Sequence, residues 1–327
     1  MSVLLINIIF IIYSIIIYIY RENIGFFFKI LDKPDNERKV HKGTIPAIGG
    51  LIIFPFLVIN LFLSYDQGFA NLKSFCLYFF FLSYFFYFGF LDDKFELNAQ
   101  VKTIFIVGGL FIVLPLEPNF IIQYIENADL EKKILLNQAS LLFTVFCVFF
   151  LYNSLNFSDG LNGVSISLSI YWILIIIFKN LNYDPFPISI FVALVITFIP
   201  NILNKIFLGN SGASLLSIIF ALLYLESYNN KLIFFDEVVL IFFLPCLDTV
   251  RITFERIINN KSPLSGDQNH FHHLLAKIIS FRYVFIPYIF FAAIPYVSTL
   301  LGLKTYYSFI FSIIIYYSIL FYLKKIN

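Results

Sequence analysis

Two adjacent carboxylates, Asp92 and Asp93, end the apolar run 74–91. The two anions repel each other and hydrocarbon cannot solvate them, so they require a cation or a water-filled cleft. A solvated acidic loop is the alternative interpretation. Because ionisable groups at membrane depth are usually functional, the pair indicates metal or phosphate chemistry.

A second polar segment, 153–165, carries an amide or a carboxylate at every third position. These residues are Asn153, Asn156, Asp159 and Asn162. Side chains three positions apart lie on one side of a helix, and lipid cannot satisfy four polar groups. Gly160 and Gly163 interrupt the helix and allow a ligand to approach the backbone. A plain turn is the alternative, but the alignment of the polar groups favours a site.

Histidines form the third candidate group. Three of the four in the chain are His270, His272 and His273, in the motif D-Q-N-H-F-H-H. Neutral imidazoles are zinc ligands in many proteins, so a zinc site is one interpretation. Contact with phosphate oxygens is the other, and the nearby arginines and lysines, together with the lack of a neighbouring cysteine, favour it.

Two further segments carry residues suited to phosphate. The basic loop 32–46 contains His41 and Lys42 and leads into the glycine pair 49–50, and cationic side chains beside a helix start bind anions. The ordinary excess of positive charge in cytoplasmic loops is the alternative. Segment 201–212 has glycines on either side of a small polar pair before a helix, a pattern that forms anion-binding nests.

Composition indicates the elements that must position these residues. Of 327 residues, 60% are hydrophobic and 13% are charged, and the mean hydropathy is +0.88. The sequence therefore predicts an all-α, polytopic helical membrane protein with a single domain, 1–327. The eleven candidate spans are 2–20, 47–64, 74–91, 101–116, 134–155, 164–179, 188–203, 212–227, 237–254, 283–300 and 306–323.

The distribution of positive charge predicts the orientation. Sixteen of the 22 lysines and arginines fall in the C-terminal tail or near the loops that follow odd-numbered spans. This bias predicts an N-terminus outside and places every polar segment described above on the cytoplasmic side. The net charge of +2, with no basic block, gives no indication of a nucleic-acid partner, so the lipid bilayer is the expected one.

Five motifs, in this order, resemble one enzyme family. They are D-K-P…R-K-V-H…P-A-I-G-G, F-L-D-D, N-S-L-N-F-S-D-G-L-N-G, K-I-F-L-G-N-S-G and D-Q-N-H-F-H-H, and they extend from about residue 32 to 275. Together they resemble the polyprenyl-phosphate N-acetylhexosamine-1-phosphate transferases, the MraY/WecA family in glycosyltransferase family 4. The last motif and the number of spans are closer to the WecA-like branch.

The resemblance implies a reaction at the cytoplasmic face of a bacterial inner membrane. A UDP-N-acetylhexosamine, such as UDP-GlcNAc, donates sugar 1-phosphate to undecaprenyl phosphate and releases UMP, as the first membrane step of cell-surface polysaccharide synthesis. The implied cofactor is Mg²⁺, with Mn²⁺ as a substitute, and a homodimer agrees with the resemblance. Transfer of phospho-MurNAc-pentapeptide in peptidoglycan synthesis is the alternative within the family.

The resemblance also implies roles for individual residues. Those matched to catalysis are Asp92, Asp93, Lys102, Asp159 and His270. Those matched to substrate contacts are Gly160, Leu161 and Asn162 for the uracil pocket, Phe207 for stacking on the base, and His272 and His273 for the pyrophosphate. Those matched to the metal are Asn156, Asn210 and Asp93. The basic loop adds His41 and Lys42 as candidate substrate contacts.

Two positions depart from the family pattern. Asn210 replaces an aspartate that the family uses for Mg²⁺, and Asn162 replaces a common aspartate in the uracil pocket. The first change removes one charge next to a divalent ion, so an inactive relative that binds lipid or nucleotide is a competing hypothesis. A secondary transporter is disfavoured, because the polar groups cluster at one face and no repeat is present.

Overall fold

The computed structural model describes residues 3–32, 43–129, 133–179, 184–263 and 268–326. His41 and Lys42 lie outside the described residues, so the expectation that they contact substrate stays a prediction. Two short antiparallel pairs accompany the helices: β1 (Leu31–Asp32) pairs with β2 (Ile45–Pro46), and β3 (Tyr124–Glu126) pairs with β4 (Lys133–Leu135).

The described chain is otherwise built from α-helices joined by short connections. In chain order they are α1 (Val3–Ile19), α2 (Arg21–Phe28), α3 (Gly49–Asp66), α4 (Leu72–Phe95), α5 (Ala99–Val113), α6 (Ser140–Ser158), α7 (Val164–Lys179), α8 (Pro185–Ile202), α9 (Gly209–Asn229), α10 (Phe235–Ile241), α11 (Phe243–Ile258), α12 (Phe271–Ala276), α13 (Phe285–Leu300) and α14 (Thr305–Ile326).

Eight helices in the described ranges are long and apolar enough to cross a membrane, which confirms the prediction of a polytopic helical membrane protein. They are α3, α4, α8, α9 and α14, together with α5, α6 and α13, which adjoining turns extend to Ala99–Leu116, Asn137–Ser158 and Phe281–Leu300. A ninth span arises if α1 and α2, bent by 73°, count as one. Every one of the eleven predicted runs falls on helix. The orientation of the N-terminus stays a prediction.

The two remaining runs are helical but do not form full-length straight spans. Helix α7 has 16 residues and rises about 24 Å, less than the roughly 30 Å of a hydrocarbon core. The run 237–254 is broken at Phe242, between α10 and α11. Pro245 has no N–H to donate to the carbonyl of Ile241, four residues earlier, and the indole of Trp172 donates to that carbonyl instead, at 3.2 Å.

The chain groups into two compact units, unit 1 (Met1–Leu97 and Leu181–Ile219) and unit 2 (Asn98–Asn180 and Phe220–Asn327). In unit 1, α3 packs on α4, α8 and α1, and the Phe54 and Phe86 rings stack at 4.2 Å. In unit 2, α6 packs on α11 and α13 packs on both α7 and α14. The single-domain prediction is not tested by this grouping.

Glycine allows two segments of unit 1 to come into backbone contact. A Cβ added at Gly89, in α4, would lie 2.6 Å from the Cα of Ser211 in the first turn of α9. A Cβ added at Gly49 would lie 2.7 Å from the Cα of Leu208, just before α9. The start of α9 is therefore enclosed by two helices that approach as closely as their backbones permit.

We expect Gly89→Ala to destabilise the protein by about 1–3 kcal/mol, because its methyl group meets backbone, which cannot move aside as a flexible side chain does. The matched control is Gly108→Ala in α5, where an added Cβ meets nothing within 4 Å. Thermal unfolding of the two purified variants makes the comparison. Equal melting temperatures would contradict the close approach of α4 and α9.

Candidate functional site

The acidic pair of unit 1 lies at the C-terminal end of α4, and Asp93 binds the start of α9. One oxygen of Asp93 accepts the backbone N–H of Asn210 at 2.6 Å, and the other accepts that of Ser211 at 2.9 Å. These N–H groups have no partner inside their own helix, and a carboxylate there also complements the helix dipole. The glycine-flanked helix start thus binds an anion as its sequence suggests, but that anion is Asp93.

Asp92 is buried at 3% exposure and stabilises the end of its own helix. Its carboxylate accepts the backbone N–H of Leu97 at 3.0 Å, and its carbonyl accepts that of Glu96 at 2.9 Å. Glu96 has the left-handed backbone conformation, φ 48°, that ends the helix. Each carboxylate oxygen has more than one lone pair, so these bonds leave both aspartates able to accept further donors.

Phe207 is held beside the same helix start by backbone hydrogen bonds. Its N–H donates to the carbonyl of Pro46 at 2.9 Å, and its carbonyl accepts the N–H of Gly49 at 3.0 Å. Unit 1 therefore brings the acidic pair, Phe207 and Asn210 around the first turn of α9. The sequence places the glycine pair 49–50 beside a candidate phosphate-binding loop. In the structure, these glycines allow α3 to pack closely against the start of α9.

In unit 2, the loop after α6 meets the histidine segment. A Cβ added at Gly160 would lie 2.7 Å from Nε2 of His272 and 2.9 Å from Nε2 of His273. The loop is shaped by Asp159, whose carboxylate accepts the hydroxyl of Ser165, and by Gly163, which has a φ of 86°. Two motifs about 110 residues apart in the sequence are thus in direct contact.

Three other candidate residues of unit 2 take their positions from α5 and α6. Lys102 lies in the first turn of α5 and is half-buried. Asn98, just before that helix, caps it, and its side chain accepts the N–H of Val101 at 2.8 Å. Asn156 lies in the last turn of α6, and its carbonyl accepts the N–H of Asp159 at 3.2 Å. The buried Leu161 follows, and its carbonyl accepts the N–H of Val164 at 3.2 Å.

His270 is bound by an aspartate that the sequence analysis did not single out. Its Nδ1 lies 2.9 Å from Oδ2 of Asp248, and the two residues are 5% and 3% exposed. Its other nitrogen, Nε2, lies 3.5 Å from Nη2 of Arg256. The ring of Phe157 lies 5.4 Å from the His270 ring and 5.4 Å from the Arg256 guanidinium, so it borders both groups.

Asp248 is the centre of a larger buried network. Its Oδ1 accepts Nη2 of Arg251 and the hydroxyl of Tyr316, both at 2.7 Å. The backbone N–H of Phe271 lies 3.2 Å from both carboxylate oxygens. The sequence did contain a signal for Asp248 and Arg251, because both fall inside the predicted span 237–254, where ionisable residues are functional by default.

His272 differs from His270 in having no hydrogen-bond partner among the described residues. Its side chain is fully buried, and neither ring nitrogen is paired. Burial, followed by the charges of His273 and His270, lowers the pKa of His272 well below its usual value. His272 is therefore neutral at physiological pH and offers one donor and one acceptor instead of a positive charge. Its contact with pyrophosphate stays a prediction.

The donor atoms fit magnesium better than zinc. Within the described residues, no group of three or more His, Cys, Asp or Glu side chains is placed to hold a metal ion. Zinc normally takes such a set, whereas Mg²⁺ takes one or two protein oxygens and completes its shell with water and phosphate. Asp93 and Asn210 in unit 1, and Asn156 in unit 2, are oxygen donors of that kind.

Comparison with known proteins tests the resemblance that the five sequence motifs suggest. Residues 75–228 match the family model described as glycosyl transferase family 4. The undecaprenyl-phosphate alpha-N-acetylglucosaminyl 1-phosphate transferase of Yersinia pestis is 25% identical over 284 residues, which cover 80% of this chain and 76% of that protein. The resemblance to glycosyl transferase family 4 is confirmed. The protein of the same name in Escherichia coli K12 is 24% identical over 265 residues, covering 76% and 69% of the two chains.

The family 4 region contains the candidate residues of α4, of the loop after α6 and of the start of α9. The histidine segment, 270–273, and Asp248 lie beyond it in the sequence. Unit 2 nevertheless places the histidines against Gly160, which lies inside the region. The contact therefore links the matched region to a segment that the family model does not include.

We expect Gly160→Ala to lower turnover at least tenfold while the melting temperature changes little. The added methyl group meets the ends of two histidine side chains and no backbone atom, so the cost falls on the position of the rings more than on folding. Gly108→Ala serves again as the control for a helix position in open space. Wild-type turnover in Gly160→Ala would show that the position of the two rings does not matter.

Proposed function

We propose that this protein transfers N-acetylhexosamine 1-phosphate from a UDP-sugar to undecaprenyl phosphate and releases UMP. The observation that carries the proposal is the contact of Gly160 with His272 and His273, next to the bound His270. This contact assembles a site of imidazole, guanidinium, amide and carboxylate groups in a chain that is otherwise strongly apolar. The relatives' names point to the same donor sugar and the same lipid acceptor.

The reaction is a displacement at phosphorus. An oxygen of the lipid phosphate attacks the β-phosphorus of the UDP-sugar, the bond to the oxygen that bridges the two phosphates breaks, and UMP leaves with that oxygen. A phosphate monoester has a second pKa near 6, so the nucleophile is already largely a dianion at neutral pH. A strong general base is therefore unnecessary, and catalysis depends on positioning and charge stabilisation.

The described residues supply those two functions. In unit 2, Arg256 is proposed to donate to phosphate oxygens, with its guanidinium 3.5 Å from Nε2 of His270, and His273 and Lys102 are further candidate phosphate contacts of the same unit. In unit 1, Asp92 and Asp93 are proposed to orient the lipid phosphate or to take its residual proton. The side chain of Phe207, in the same unit, is proposed to stack on uracil.

Magnesium, or manganese in its place, is the proposed cofactor. Asp93 and Asn210, both in unit 1, would hold it, and when bound it would neutralise charge on the phosphate oxygens. Because Asn210 is neutral, the protein would provide less negative charge to the ion than a family member with aspartate there. A location in the bacterial inner membrane with the site facing the cytoplasm, and a homodimeric assembly, belong to the same proposal.

The proposed reaction is tested with purified protein in nanodiscs, undecaprenyl phosphate, Mg²⁺ and a panel of UDP-N-acetylhexosamines. We expect UMP release that requires both substrates, and its loss in His270→Ala, which removes the imidazole between Asp248 and Arg256. Binding of UDP-GlcNAc without UMP release from any sugar would instead identify an inactive relative. UMP release only with UDP-MurNAc-pentapeptide would assign the protein to peptidoglycan synthesis.

We expect Asn210→Asp to lower the Mg²⁺ concentration required for half-maximal UMP release. The variant places a second carboxylate next to Asp93, which binds the backbone of residue 210 at 2.6 Å, and a divalent cation relieves the resulting repulsion. A titration of Mg²⁺ against initial rate, for wild type and variant, measures the shift. An unchanged titration curve would count against metal contact at this position.

A further inference from the structure

We propose that Asp248 is a positioning residue for His270, and that it sets which nitrogen of the imidazole faces the substrate; the proposal rests on the function proposed above. An ionised carboxylate accepts hydrogen bonds but cannot donate them. Nδ1 of His270, 2.9 Å from Asp248 Oδ2, must therefore carry a proton. Neutral imidazole has one ring proton, so Nε2 is left as the acceptor, and it is the nitrogen on the side of Arg256.

The carboxylate is itself rigidly held, as a positioning group must be. Arg251 and Tyr316 donate to Oδ1 from two different helices, α11 and α14. Arg251 also donates through Nε to the Tyr316 hydroxyl at 2.7 Å, which closes the network. The N–H of Phe271 donates to the same carboxylate, so Asp248 binds both the side chain of His270 and the backbone that follows it.

Replacement by asparagine distinguishes positioning from simple packing. An amide has the shape of a carboxylate but has one oxygen and one NH₂ group. The two donors at Oδ1, from Arg251 and Tyr316, hold the amide oxygen on their side, so the NH₂ group faces Nδ1 of His270. Nδ1 must then accept, the ring proton moves to Nε2, and the nitrogen on the Arg256 side becomes a donor. The same inversion of tautomer accounts for the loss of activity when the aspartate of a catalytic triad is replaced by asparagine.

Tyr316→Phe is the matched control. It removes one hydrogen bond from the same buried carboxylate and leaves the bond between Asp248 and His270 in place. Any loss of kcat that comes from weakening the hydrogen-bond network around Asp248 is expected in both Asp248→Asn and Tyr316→Phe. A change in the His270 tautomer is expected only in Asp248→Asn.

The test combines turnover with magic-angle-spinning NMR of ¹⁵N-histidine-labelled protein in lipid. The chain has four histidines, and the signal that disappears in His270→Ala assigns His270. We expect Asp248→Asn to lower kcat at least tenfold and to shift the ring proton of His270 from Nδ1 to Nε2. Asp248→Glu, which restores a carboxylate, should return the proton to Nδ1, and Tyr316→Phe should keep the wild-type tautomer and kcat within about threefold.

Two results would overturn the proposal. One is a wild-type His270 tautomer in Asp248→Asn, and the other is an equal loss of kcat in Tyr316→Phe. If the wild-type protein releases no UMP from any sugar, the proposed function fails, while the NMR comparison still decides whether Asp248 sets the tautomer of His270.

Discussion

A carboxylate buried in an apolar chain is stable only where the protein supplies its hydrogen-bond donors, since neither lipid nor bulk water can do so. This protein meets that constraint in two ways. Asp93 receives two backbone N–H groups at the start of α9. Asp248 receives Arg251, Tyr316, His270 and the N–H of Phe271. Each arrangement fixes one group of candidate functional residues within its own unit.

The two arrangements differ in the kind of group that the carboxylate positions. Capping of α9 by Asp93 is an interaction with fixed backbone dipoles, and a cap of this kind is worth about 0.5–2 kcal/mol. It positions Asn210 by its backbone N–H. The Asp248 network, in contrast, consists mainly of side chains and ends at one imidazole, so it controls a proton as well as a position.

The sequence predicted the long helices, because each apolar run is a local signal and all eleven runs contain helix. The short helices α2 and α12 lie outside those runs. It did not predict the break at Phe242, which depends on Pro245 and on Trp172, more than 60 residues away. The partner of Asp93 was missed for a similar reason, since hydrogen bonds across 117 residues leave no local pattern. The histidine motif was found from its composition, but Asp248 was hidden inside a run counted as a membrane span.

His270 and His272 have different roles, which the composition of the histidine segment alone does not distinguish. Nδ1 of His270 lies 2.9 Å from the carboxylate of Asp248, whereas neither ring nitrogen of His272 has a partner in the described part of the chain, and burial lowers the pKa of His272 well below its usual value. A neutral, buried imidazole adds little attraction for phosphate, whereas Arg256, beside His270, supplies a positive charge. His272 instead packs between His270 and Gly160, with its ring stacked 5.5 Å from that of His270. The first three residues of H-F-H-H are thus a bound ring, a buried phenyl group and a packing ring, and Asp248 binds the side chain of the first and the backbone N–H of the second.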